Sequence, residues 1–518
     1  MSGPVRSLLP PLVLISVLTV AGCTGTTTPN AENSADGSAI VLADSAEPAT
    51  LNPLLGYGRD GVSKVYDGLF EHRADRSLRP QLAEDLPKPA ADGLSWTVRL
   101  RGDVKFSDGS AFGPEDVVAT YRALLDPAAG ASERSRYEGL TGVEQLDVRT
   151  VRFTLAKSWA AFPHLLTLGV LSSESFSVPL KDMLPVGTGP FKVTEWRKGD
   201  RLILESNPKH FAGEPKIRKV TVVFVPDDNT RAQRMQAGEF DGAELPQRLA
   251  QPFTGTSGMR VVTHRSTDLR AVTLPSGPVT GDPAMRMALN HAVNRKGLVD
   301  NLLGGKGSAA ATPIPDTMPE FYDPTAAFAY DKVQTELMLE QAGWVRGADG
   351  VRARNGVPAR FTLMYPIGDV VRADLSTAFA ADARAIGVDV QLAGLSWEAI
   401  TPRLGADALL YGGGTPFDPD LTAYPPLHTG NPWGYANTQV DAALDAGRTL
   451  LDPAQRVAAY RQFQQAYVVS PGMAVLAAVQ HTYVLRDNWT GYQEVVDPHA
   501  HGPLAWGPWW NLEKWAAR

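Results

Sequence analysis

Two histidines one residue apart, His499 and His501, form the only close pair of imidazoles in the chain. In an extended segment both rings face one side and offer two nitrogens to a metal. Prolines flank them, and no third ligand stands nearby in the sequence, so no metal site is assigned. Gly304–Ser308 (GGKGS) is glycine-rich with a lysine, but it follows a helical pattern where a phosphate cradle follows a strand. The G-x-S-x-G elbow, the H-E-x-x-H pair and the Walker A loop are absent. The single cysteine, Cys23, excludes an intrachain disulfide, a cysteine zinc site and a CxxC redox pair. What the chain does offer is a set of groups suited to holding a ligand. Tyr57, Tyr411, Phe417, Trp433 and Tyr435 read as lying in or beside loops, where an aromatic ring is free to line a cleft. Gly413, Thr415, Asp418 and His428 share the same stretch. The glycine run Gly412–Gly414 either lets backbone approach a ligand or is an ordinary loop.

The whole chain has 518 residues, enough for two to four domains. Its 43% hydrophobic and 20% charged content is that of a globular protein. A net charge of -7 and the lack of a basic cluster argue against nucleic acid as a partner. Residues 1–22 carry Arg6 and then the apolar run LLPPLVLISVLTVAG, too short for a comfortable membrane span and laid out like a secretory signal. Residues 23–38 are small and polar, a flexible tether.

The elements that must position any site are legible by periodicity. LSWTVRLR (94–101) alternates as a half-buried strand, and Val104–Phe106 reads as a short second strand. Pro114, Glu115 and Asp116 open a helix whose apolar face is Val117, Val118, Tyr121 and Leu124. KVTVVFV (219–225) is apolar throughout, as in a sheet covered on both faces. Residues 282–303 read as one helix. Strand 360–365, helix 370–386 and strand 388–392 give a βαβ-like alternation, hence an α/β lobe.

Several of these segments carry a family resemblance. LAEDLP, WTVRLR, VKFSDG and PEDV within 79–126 closely resemble the signature segment of family 5 extracellular solute-binding proteins, the peptide- and nickel-binding receptors of ABC importers. PVGTGPFKVTEW (185–196), the helix at 282–303 and DKVQTELMLEQAGW (331–344) are similar to further family segments, in order along nearly the whole chain. VAGC (20–23) resembles a bacterial lipobox, the other reading being a plain signal peptide with a chance cysteine. The resemblance implies a class II, two-lobed α/β periplasmic-binding-protein-like fold with an extra subdomain. It divides the chain into a discontinuous lobe I (39–66, 187–276 and 485–518), a subdomain (67–186) and lobe II (277–484). It also implies lipid on Cys23, anchorage outside the cell membrane, a monomer without cofactor and an ABC permease as partner. The ligand implied is a small peptide or peptide-like solute. Peptide-binding relatives commonly carry an aspartate shortly before the Asp-Pro pair, where it meets the ligand's amino group; here Thr415 and Pro416 occupy that region. The spacing is similar to nickel-type receptors, which place a metal-contacting histidine near His428, yet the arginine those receptors use is missing from 170–176. Nickel-chelate capture is therefore the alternative, and a secreted hydrolase a remote one.

Overall fold

KVTVVF is apolar on both faces because both faces are covered. In the computed structural model, which describes residues 38–499, 504 and 506–518, this run is strand Lys219–Phe224 within a seven-stranded sheet. The sheet order is Met259–His264, His481–Arg486, Gly242–Glu244, Ala39–Asp44, Lys219–Phe224, Arg201–Ser206 and Phe191–Arg197. Ala39–Asp44 pairs in parallel with both of its neighbours, so three strands bring their carboxyl ends to one edge. This is lobe I. Lobe II is built on a six-stranded sheet in the order Gly307–Ala309, Met473–Val479, Leu269–Thr273, Ala408–Gly413, Arg360–Pro366 and Asp389–Leu395. Arg360–Pro366 is parallel to both of its neighbours, and helix Val370–Ala385 makes the crossover between it and Asp389–Leu395. Crevices in open α/β sheets lie off the carboxyl ends of strands, and here each lobe presents such an edge.

The subdomain is a four-stranded antiparallel sheet containing Ser95–Arg99 and Thr150–Leu155, with helix Pro114–Leu125 packed on it. Trp96 and Val98 turn inward, as the alternation requires. Its buried residues form one core with lobe I, from Ile40 through Tyr121 and Phe153 to Leu202 and Trp515. The two large clusters of lobe II, around Phe379 and around Tyr460, are separate. The subdomain therefore belongs mechanically with lobe I.

The structure moves two of the expected boundaries. Residues 187–276 and 277–484 were assigned to different lobes, but Leu269–Thr273 lies in the second sheet and His481–Arg486 in the first. The chain crosses between lobes at 265–268 and at Gln480. Both crossings occur within strand-like sequence without glycine or proline, so no turn signal marks them. A third segment braces them: Thr267 N donates to Asp497 O at 2.8 Å, and His499 N donates to Gly414 O at 2.7 Å.

Other expectations also change. Val104–Phe106 makes only an isolated bridge, Lys105 to Ala111. The helix expected over 282–303 stops at Ala292, because Asn294 caps a new turn by accepting from Gly297 N at 3.0 Å. Buried Arg295 then donates to Val475 O and Asn290 O, each at 2.7 Å, which ties the break to the sheet. The expected ligand loop after Tyr411 contains helices Pro419–Leu427 and Thr438–Thr449. Asp418 caps the first and Pro419 opens it, a start signal obscured by the other prolines around it. The signal segment, Cys23 and His501 lie outside the described residues. No helix among the described residues is long and apolar enough to cross a membrane.

Candidate functional site

The strand crossings carry charge where strands are usually apolar. Asp268 and Arg270 sit at the start of Leu269–Thr273, and His481 starts His481–Arg486. His481 bridges two carboxylates, with Nε2 2.9 Å from Asp268 and Nδ1 3.3 Å from Asp497. Asp497 also accepts from Tyr483 OH at 2.7 Å and faces His264 Nδ1 at 3.0 Å. His499 Nδ1 lies 2.8 Å from the other side of Asp268, which also pairs with Arg270. Burial pushes the His481 imidazolium down in pKa, but Glu244, Asp268 and Asp497 outweigh it and hold the ring well above its usual value. Burial raises the Asp268 carboxyl, yet Arg270, His499 and His481 hold it well below the usual range. For His499 burial dominates and, with Arg270 and Arg372, holds the ring below its usual value against the pull of Asp268. The network is therefore an imidazolium between two carboxylates, placed where the lobes join.

Beside it, a cavity of about 560 Å³ opens between the two sheet edges. Drug-sized ligands occupy cavities of roughly 300–1,000 Å³. Lobe I contributes Asp44, Glu244 and Gln247; lobe II contributes Arg270, Arg372 and Trp397. Trp506 and Trp509, from the tryptophan-rich end, close one side. Arg270 and Arg372 are 8% and 5% exposed, and each has a buried Nε with no hydrogen-bond partner. They converge: a Cβ built on Gly412 would stand 2.5 Å from Nη2 of Arg372 and 2.8 Å from Nη1 of Arg270. Burial lowers the Arg372 pKa, and the nearby Arg270 charge lowers it further. Arg372 lies in the first turn of helix Val370–Ala385, whose dipole also favours an anion. Each guanidinium pairs with one acid, Arg270 with Asp268 and Arg372 with Asp369, and keeps an unbonded Nε, a geometry that can also take a carboxylate.

Gly412 is the close approach that the glycine run called for. Gly412→Ala is expected to keep the backbone, since a Cβ meets only side chains, but to splay the arginine fork and press on the His499 ring, whose Cε1 would stand 2.8 Å away. Ligand affinity should fall by roughly tenfold, about 1.4 kcal/mol, in a calorimetric titration.

None of the nine expected ligand residues lines this cavity. Tyr57 is buried against Tyr66. Tyr411 packs edge-on against Trp433, whose Nε1 donates to Pro426 O at 3.1 Å. Tyr435 is buried and donates to Ser470 O at 2.6 Å. Gly413 pairs with Leu269, and Thr415 exchanges hydrogen bonds with Thr422. Phe417 stacks on His72 at 3.5 Å and meets Trp506 edge-on. Asp418 pairs with Arg456 at 2.8 Å. His428 stacks on Tyr424 and faces Asp445 at 3.3 Å. Packing places Tyr57 in the core of lobe I, Tyr411, Trp433 and Tyr435 in that of lobe II, Phe417 between the bodies, and His428 partly exposed at a helix end. Of the cavity-lining residues not singled out in the sequence, Asp44, Glu244, Arg270, Arg372, Trp397 and His481, two share a readable trait: Arg270 and His481 are charged or titratable groups set at the start of apolar strands. Among the described residues no group of three or more His, Cys, Asp or Glu side chains is arranged to hold a metal ion.

Two sheet-based lobes joined by crossing strands, with a ligand-sized cavity between them, define a two-lobed binding protein. The model of bacterial extracellular solute-binding proteins, family 5, matches residues 77–435, and the chain belongs to that family. Among curated relatives, Protein XP55 of Streptomyces lividans is 39% identical, covering 98% of this chain and 95% of that protein. The oligopeptide-binding protein AppA of Bacillus subtilis is 26% identical, over 97% of this chain and 98% of its own. Among solved structures, NikZ of Campylobacter jejuni in complex with Ni(L-His) superposes with a TM-score of 0.85 at 24% identity, covering 93% of this chain and 99% of NikZ. AppA in complex with a nonapeptide gives 0.82 at 24% identity, over 93% and 99% of the two chains.

Proposed function

We propose that the chain is the substrate-binding component of an ABC importer and captures a small peptide or peptide-like solute between its lobes. The observation that carries this reading is the interlobe cavity with its converging Arg270 and Arg372. These arginines hold the ligand's carboxylate, while Trp397 and Trp509 supply flat apolar walls. The ligand contacts both lobes and so stabilises the closed form by its differential affinity. The closed form docks on a membrane permease, and a separate ATPase drives import. No covalent step is required. Cleavage before Cys23 and lipid on its sulfur would tether the protein outside the cell membrane. AppA, bound to a nonapeptide, supports the peptide reading. NikZ, bound to Ni(L-His), keeps a nickel chelate in the screen.

Closure has a latch on the subdomain side. Trp159 Nε1 donates to Asp420 at 2.8 Å, and Arg448 pairs with the same carboxylate. Trp159→Phe removes the bond between bodies while leaving Asp420 its arginine. Hydrogen bonds to charged groups contribute about 1.5–3 kcal/mol. Ligand affinity should fall by up to that amount, with the ligand-free melting temperature little changed.

The test is thermal-shift screening of residues 24–518 against short peptides, nickel–histidine and sugars, since a ligand of the folded state raises apparent stability. Stabilisation by peptides supports the reading. Stabilisation by nickel chelates alone would replace it.

A further inference from the structure

Ion pairing around the cavity leaves three carboxylates over, Asp44 and Glu244 on lobe I and Asp374 on helix Val370–Ala385 of lobe II. Asp268 is matched by Arg270, Asp497 by His481, Asp228 by Arg231 and Asp369 by Arg372. Asp44 and Glu244 have no ion-pair partner within 4.0 Å among the described residues. They are neighbours by construction. Strands Ala39–Asp44 and Gly242–Glu244 run parallel, with Leu42 opposite Gly242 and Ala43 opposite Ala243, so the next residues emerge side by side at the carboxyl edge. Arg231, the cation nearest both, spends its N–H groups on Val225 O, Glu244 O and the Asp228 carboxylate. Arg248 and Lys306 also line the cavity, but the cations that act most on the Glu244 carboxyl are His481 and Arg231.

We propose that lobe I takes the ligand's cationic group at Asp44 and Glu244 while lobe II takes its anionic group at Arg270 and Arg372. The ligand is then a zwitterion lying across the cleft with a fixed polarity. This assignment rests on the peptide-capture reading and adds to it which terminus faces which lobe. Burial, with Glu244 beside it, pushes the Asp44 carboxyl up to about 6. Glu244, although exposed along the cavity wall, is likewise raised by desolvation, against the pull of His481 and Arg231. Two like charges side by side raise a carboxylate pKa, and an ammonium brought closer than His481 and Arg231 reverses the shift. The polarity also explains closure. On this assignment lobe I binds the cationic end and lobe II the anionic end, so a zwitterion satisfies both only when the lobes come together. The region of Thr415 and Pro416 offers no acid for an amine, because Asp418 there is committed to Arg456.

The probe is a pool of short peptides in four forms: free, N-acetylated, C-amidated and doubly capped. Affinities are measured by calorimetry on wild type, on Asp44→Asn with Glu244→Gln, on Glu244→Gln alone, and on Arg372→Gln. Wild type should prefer the free amino terminus over the acetylated one by about tenfold or more. The double acid variant should lose that preference and keep its preference for a free carboxyl terminus. Arg372→Gln should show the opposite loss. The near-isosteric single variant guards against misfolding of the double one and should show a partial loss. Equal binding of free and acetylated peptides by wild type, or undiminished discrimination in the acid variants, overturns the polarity and leaves peptide capture standing. If no peptide form binds wild type, the capture reading falls and the polarity falls with it.

Discussion

Replacing His481 with glutamine should lower stability by about 3–5 kcal/mol, the usual cost of removing one partner from a buried ion pair. Among the described residues His481 is the only cation that touches both Asp268 and Asp497, and its side chain is 13% exposed while theirs are 2% and 1%. Its loss leaves Asp497 with His264 and Tyr483, and Asp268 with Arg270 and His499. The pH profile should change in a defined direction. His481 has a folded-state pKa well above 6.5, so its contribution is complete below about 6.5 and is lost as pH rises through the folded value. Asp268 and Asp497 have folded-state values below 3.8, so their contributions are complete above that pH and are lost as pH falls through the folded values. Wild type should therefore be most stable between about 4 and 6.5 with respect to this network. In the variant the alkaline decline attributable to His481 should vanish and the acid limb should persist. Urea unfolding across a pH series measures both. A variant within about 1 kcal/mol of wild type at every pH would remove the network from the fold's stability.

Arg372→Gln should weaken ligand binding by about 2 kcal/mol or more, roughly thirtyfold, because truncating one buried charge at an interface leaves its partner unpaired. Asp369 would lose the Arg372 side-chain bond at 2.9 Å but would still cap its helix by accepting from Arg372 N, also at 2.9 Å. The ligand-free protein should consequently keep its helix and most of its stability. Arg270→Gln should weaken binding too. The double variant should fall short of additivity, since both guanidinia serve one anionic group. Ligand affinity within about a factor of two of wild type in Arg372→Gln would move the carboxylate elsewhere.

The family was legible from the stretch around 79–126 because that stretch is scaffold. Its alternating strand and capped helix are local patterns, and Trp96, Val98, Val117 and Tyr121 turn inward as read. Strands Lys219–Phe224, Arg360–Pro366 and Asp389–Leu395 were legible for the same reason. The cavity was not. Its charged lining comes from strand ends far apart in sequence, at 44, 244, 270 and 481, and only the two sheets bring them together. Aromatics misled where charges would have guided. Trp433 and Tyr435 read as loop residues, but the short helices on either side bury them in the lobe II core. The lobe boundaries slipped because Leu269–Thr273 and His481–Arg486 continue straight from the crossings with no breaker residue to announce a change of sheet.

Hydrogen exchange on the mature chain, with and without a peptide found by the thermal-shift screen, tests most directly where the ligand sits. Protection should rise at 43–47, 242–248, 366–374 and 479–483, the segments that face the cavity from the two lobes. Protection confined to 415–435, with those segments unchanged, would contradict the interlobe cavity as the binding site.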